Sequence, residues 1–234
     1  MKSGRCLRTA VACASLLAFS SSASAEQEKC PVSANVRGHE NIEWSISYAF
    51  HLTDSRKDLP RALLVGDSIC NGYQGRVCAL TEGRINISYW VSSYCVTSPE
   101  YLRLLAFQLE GAKYDVIHFN NGLHSLGTDT AAWTAALKAA LELIRAKQPQ
   151  ARIIWATSTP LKDARKTAKA RELNAAAQTV IRELGSIETD DLFALLDPLD
   201  REKNWSDVYH HRPELRDMAA KQVARMIAPA ATGK

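Results

Sequence analysis

The chain predicts an α/β domain, a three-layer α/β/α sandwich around a mostly parallel sheet. From Arg61 onward, short apolar stretches alternate with longer stretches of helical periodicity, and strands separated by helices pair in parallel with helices on both faces. A second observation is Leu63-Leu64-Val65-Gly66-Asp67-Ser68. Three apolar residues run into a glycine, an acid and a serine, the pattern of a buried strand ending in a tight strand-to-helix turn. Such a turn lifts a hydroxyl out at the carboxyl edge of the sheet, where open α/β sheets bind their ligands.

The first 25 of the 234 residues are expected to lie outside the fold. A basic start with Lys2, Arg5 and Arg8 leads into an apolar run from Thr9 to Phe19, and Ala23-Ser24-Ala25 follows. That order describes a secretory signal peptide cleaved near Ala25, with an apolar stretch too short to span a bilayer. The expectation is export, to a periplasm or beyond the cell, with no transmembrane segment in the mature chain. The leader holds three of the 29 basic residues and none of the 25 acids, leaving 26 against 25. A net charge near +1 carries no nucleic-acid footprint.

Residues 26–60 read as an N-terminal arm packed on the domain, and 61–234 as the domain itself. Within the arm, Ile42, Trp44, Ile46 and Tyr48 alternate with polar or small residues, which predicts an edge strand or extended segment. Trp44 and Phe50 read as anchors for it. Leu63 to Val65 is the first strand of the domain, and Arg84 to Val91 the second. Pro99 to Leu109 reads as a helix with Leu102, Leu105 and Leu109 on one face. Tyr114 to Phe119 is a third strand, and Thr130 to Lys147 an Ala/Leu-rich helix. Arg152 to Thr157 is the fourth strand. A charged, alanine-rich helix follows from Ala164 to Leu184, stopped by Gly185. Ile187 to Leu196 contains a short fifth strand, and Pro213 opens a last helix through Ile227. The basic run from Arg165 to Arg171 reads as a solvated helix face.

Four cysteines follow the leader: Cys30, Cys70, Cys78 and Cys95. In an oxidising compartment they permit three full pairings, among them Cys70 with Cys78. Their spacing is no zinc signature, and neither His118 nor His124 has a cysteine or carboxylate beside it at ligand spacing. No metal or cofactor is expected.

A serine hydroxyl is a weak nucleophile alone and needs a base, an orienting acid and oxyanion donors. The third strand runs into Asn120-Asn121-Gly122, on the same sheet edge as Ser68, where a side-chain amide can donate to a developing oxyanion. Before the last helix stands Trp205-Ser206-Asp207-Val208-Tyr209-His210-His211. Asp207 and His210 are three apart on a loop, so the carboxylate can orient the imidazole. His211 is the less suitable base by that spacing. Asp67 reads as a turn-stabilising acid.

Gly66-Asp67-Ser68, the asparagine after the third strand and the terminal Asp207-x-x-His210 resemble the SGNH, or GDSL-type, hydrolases, over the stretch from Arg61 to about Ala220. The resemblance implies a flavodoxin-like central sheet, Ser68 as nucleophile, His210 as general base and Asp207 as its partner. It also implies an oxyanion hole formed by Ser68, Cys95 and Asn120. Cys95 falls where the family has a glycine, His118 replaces the glycine of the next block, and Asn121 its aspartate. His124 and Asn121 are expected to touch substrate. The stretch from His118 to His124 resembles a branch that removes acetyl groups from carbohydrate, which makes a small-molecule or polysaccharide ester the expected substrate. Two alternatives stay open: a lipase, thioesterase or acyltransferase on the same triad, and a non-catalytic carbohydrate-binding relative.

Overall fold

The computed structural model describes residues 40–49 and 58–228. The leader, Cys30 and Phe50 lie outside these residues. The strands are β1 (Ser45–Tyr48), β2 (Arg61–Gly66), β3 (Asn86–Ser92), β4 (Val116–Phe119), β5 (Arg152–Ala156) and β6 (Ile187–Asp190). Their order in the sheet is β1-β3-β2-β4-β5-β6. All neighbours pair in parallel except β1, which lies antiparallel on β3 at the edge. The five parallel strands thus take the flavodoxin-like order, with β2 between β3 and β4.

The helices are α1 (Ser68–Thr81), α2 (Tyr101–Glu110), α3 (Thr130–Lys147), α4 (Ala164–Leu184), α5 (Leu192–Leu196), α6 (Arg201–Asn204) and α7 (Pro213–Ile227). Strand alternation sorts the core into two layers. Leu63, Val65, Ile117, Phe119, Ile153 and Trp155 meet α2, α3 and α4 on one face. Ala62, Leu64, Val116, Ile154 and Ala156 meet α1 and α7 on the other. Among the described residues no helix is long and apolar enough to cross a membrane.

Helices α3, α4 and α7 keep their predicted bounds, for local reasons. Asp129 and Asp163 accept from the Ala132 and Lys166 amides, Gly185 ends α4 at φ +65°, and Pro213 starts α7. Three predicted starts move inward, among them that of β4, which begins at Val116 and not Tyr114. Helix α2 begins at Tyr101 and not Pro99, because successive turns bond Ser98 N–H to the Cys95 carbonyl and Tyr101 N–H to the Ser98 carbonyl. Strand β3 begins at Asn86 and not Arg84, because the Arg84 and Ile85 amides still bond to Thr81 at the end of α1.

The arm is held through β1 and the residues beside it. Trp44 N–H donates to Ser93 Oγ, Trp90 Nε1–H donates to Ser45 Oγ, and the Trp44 ring packs on the α1 side of the sheet. Cys70, Cys78 and Cys95 are free thiols, so the pairing of Cys70 with Cys78, one of those the sequence left open, does not form. Both sit on α1 eight residues apart, about 12 Å along the axis, beyond disulfide reach.

Candidate active site

Ser68 is the first residue of α1, directly after the strand that lies between β3 and β4. The buried Asp67 caps this helix, its Oδ1 accepting from Ile69 N–H at 2.9 Å. Gly66 has no alternative: a Cβ there would lie 2.5 Å from Cys70 Cβ, inside the first helical turn. The turn therefore combines a glycine for close approach, an acid for the cap and the hydroxyl of Ser68.

The loop before α7 is built around Asp207. A bridge between Trp205 and His211 closes it, and Ser206 N–H donates to the His210 carbonyl at 2.9 Å. Oδ1 of Asp207 accepts from the Tyr209 and His210 amides at 2.7 and 2.8 Å, an Asx turn. Oδ2 remains for His210 Nδ1, at 2.8 Å. With Nδ1–H donating to the carboxylate, Nε2 is left to accept the Ser68 hydroxyl, 2.9 Å away. Partial burial works against the charge on Asp207, but the two amides and the His210 ring outweigh it and hold the carboxyl at about 2. His211 points the other way, edge-on against Trp205 with ring centroids 5.1 Å apart. Burial pushes its imidazole down to about 4.

The end of β4 and the loop after β3 are knitted together by buried polar side chains. Asn120 Nδ2 donates to the Ala156 carbonyl at 2.7 Å and lies 3.4 Å from Ser158 Oγ. Asn121, expected as a substrate contact, is instead buried in the loop scaffold. Its Oδ1 accepts from Val96 N–H and its Nδ2 donates to the Tyr94 carbonyl, both at 2.9 Å. The same loop carries the buried Cys95, whose Sγ sits 2.9 Å from Thr97 Oγ1 and 3.0 Å from Ser125 Oγ. A thiol–hydroxyl cluster, rather than a disulfide, anchors this loop. Gly122 lies so close to Ser158 that a Cβ would come within 1.9 Å of its Oγ. Ser158 is in turn fixed by Asn174, which bonds both its N–H and its carbonyl. Ser125, Ser158 and Asn174 carry no motif, and nothing in their sequence neighbourhoods marks them.

His118 lies under this loop, fully buried, with Nε2 2.9 Å from Asp190 Oδ2. Ser68 and His210 open onto a cavity of about 570 Å³, which His124 and Tyr209 also line. His124 Nδ1 bonds to Glu40 of the arm at 2.8 Å. Among the described residues no group of three or more His, Cys, Asp or Glu side chains is placed to hold a metal ion.

No family model and no curated protein matches this chain. Solved structures do. A member of the lipolytic G-D-S-L family from Veillonella parvula matches with a TM-score of 0.60 and 17% identity, covering 71% of this chain and 97% of that one. A carbohydrate esterase family 3 structure from Talaromyces cellulolyticus matches with a TM-score of 0.61 and 13% identity, over 75% of this chain and 100% of that one. A GDSL-like lipase from Bacteroides thetaiotaomicron matches at 0.59 and 14%, over 74% and 90%. At these identities the likeness is one of fold, and the fold is that of GDSL-type hydrolases and carbohydrate esterases.

Proposed function

We propose that this chain, folded as the SGNH hydrolases are, is an exported serine ester hydrolase that removes acetyl or other short acyl groups from carbohydrate. The observation that carries the reading is the unbroken chain Ser68 Oγ–His210 Nε2 and His210 Nδ1–Asp207 Oδ2, at 2.9 and 2.8 Å. Ser68 attacks the ester carbonyl while His210 takes its proton, and Asp207 stabilises the imidazolium that forms. His210 then protonates the leaving alcohol and activates the water that releases the acyl group.

The developing oxyanion rests against the Ser68 amide, the backbone at Cys95 and the Asn120 side chain. An amide nitrogen carries two hydrogens, and here one goes to the Ala156 carbonyl at 2.7 Å and the other to Ser158 Oγ at 3.4 Å; the longer bond is the one that gives way to the oxyanion. His124, on the cavity wall, is the substrate contact. The fold of the Talaromyces carbohydrate esterase supports a sugar ester. So do the polar side chains among the cavity walls, Glu40, His124 and Tyr209, which stand beside the apolar Leu123 and Leu126 and can bond to an alcohol that carries hydroxyl groups.

The test is hydrolysis of p-nitrophenyl acetate by the mature chain beside Ser68→Ala and His210→Ala. The expected result is turnover by the wild type and a loss of about a thousandfold or more in each variant. A wild type no faster than its variants would overturn the hydrolase and favour a binding protein.

A further inference from the structure

The cavity in front of Ser68 has a wall of one charge. Arg165, Lys166 and Lys169, from the first turns of α4, line the same space as Ser68 and His210. The basic run is thus divided: Arg171 turns away to Asp197 at 3.0 Å and packs over the Phe193 ring, while these three face the site. Lys169 is neutralised by Glu172 at 2.9 Å. Arg165 and Lys166 have no carboxylate partner among the described residues.

The nearby acids are already engaged. Glu40 bonds to His124, Asp207 to His210, and Asp163 to the Lys166 amide at the start of α4. The Lys166 ammonium sits 5.3 Å from the centre of the Tyr209 ring, which itself packs against the His210 ring with centroids 6.4 Å apart. That contact places one cation a single aromatic ring away from His210. Its place in the helix is also unfavourable: the first turn of α4 carries two cations and no acid, against the macrodipole.

We propose that the ester this site takes is anionic: an acylated acidic glycan whose sugar carboxylate is received by Arg165 and Lys166 while the ester carbonyl lies at Ser68. The proposal rests on the hydrolase reading. Arg165 presents a fork of N–H donors that matches a carboxylate, and Lys166 adds a point charge. A cavity of about 570 Å³ is of the size that encloses a small ligand.

The experiment compares kcat/KM on acetylated polygalacturonate and on acetylated galactan of equal acetyl content. It uses the wild type, the double variant Arg165→Gln/Lys166→Gln, and Arg171→Gln as a control on the far side of the helix. The expected result is a preference for the acidic polymer of about tenfold at low salt, shrinking in high salt. The preference should collapse in the double variant and persist in Arg171→Gln. Equal rates on the two polymers, or a preference the double variant keeps, overturn the anionic substrate. Turnover of p-nitrophenyl acetate separates the two readings, since its absence overturns the hydrolase alone. The anion site is then read by calorimetry with Ser68→Ala, comparing galacturonate oligomers with neutral galactose oligomers. Binding of the acidic oligomers that needs Arg165 and Lys166 supports the site; no difference between the two overturns it.

Discussion

Asp207 divides its two oxygens between two partners: one closes the Asx turn and the other faces the imidazole of His210. The neighbouring His211 does the opposite work, as a buried neutral ring against Trp205. Its folded value of about 4 lies below the ordinary value of about 6.5 because burial disfavours the charge. The unfolded chain therefore binds the proton first. The stability this histidine contributes is fully present above pH about 6.5 and is lost as pH falls from there towards 4, by up to about 3 kcal/mol. Urea unfolding across that window should show the wild type losing stability with acid, and His211→Gln losing distinctly less. Parallel slopes for the two proteins would remove His211 as the cause.

At the scale of elements, the junction of β2 and α1 leaves no room for a side chain at Gly66. Helix α1 contains Asn71, Gly72 and Gly75, which are poor helix formers. It forms because Cys70, Tyr73 and Val77 bury themselves on the sheet beside α7. Gly66→Ala would push a methyl into Cys70 and force the first helical turn away from the strand. The expected cost is about 1–3 kcal/mol of stability. Activity should fall further than unfolding alone accounts for, since Ser68 moves with that turn. Thermal melts and kcat on the same preparation check this; a lower Tm with unchanged kcat would mean that the helix re-seats without moving the serine.

Across the whole molecule, stability among the described residues is carried by the two packed layers and not by cross-links. Cys70 lies between α1 and the sheet, and burial pushes its thiol up to about 12. A thiol reagent should leave Cys70 unmodified in the native protein and label it only when the layers separate, so its labelling rate should follow global unfolding in denaturant. Rapid labelling of Cys70 under native conditions, read by peptide mass spectrometry, would show that α1 opens independently.

The sequence alone determined what near neighbours decide. The bounds of α3, α4 and α7 follow from caps, a terminal glycine and a leading proline beside clear periodicity. The pairing of Asp207 with His210 follows from a three-residue spacing on a loop. Tertiary structure decided what depends on how far each element is rotated and what lies across from it. It brought Ser68 to a histidine 142 residues away, and spread Cys70 and Cys78 along one helix. It also turned Asn121 into the loop after β3 and set the exposed Arg165 and the half-buried Lys166 on the wall of the cavity. Periodicity reports that a side chain is buried or exposed. It does not report which partner waits on the other side.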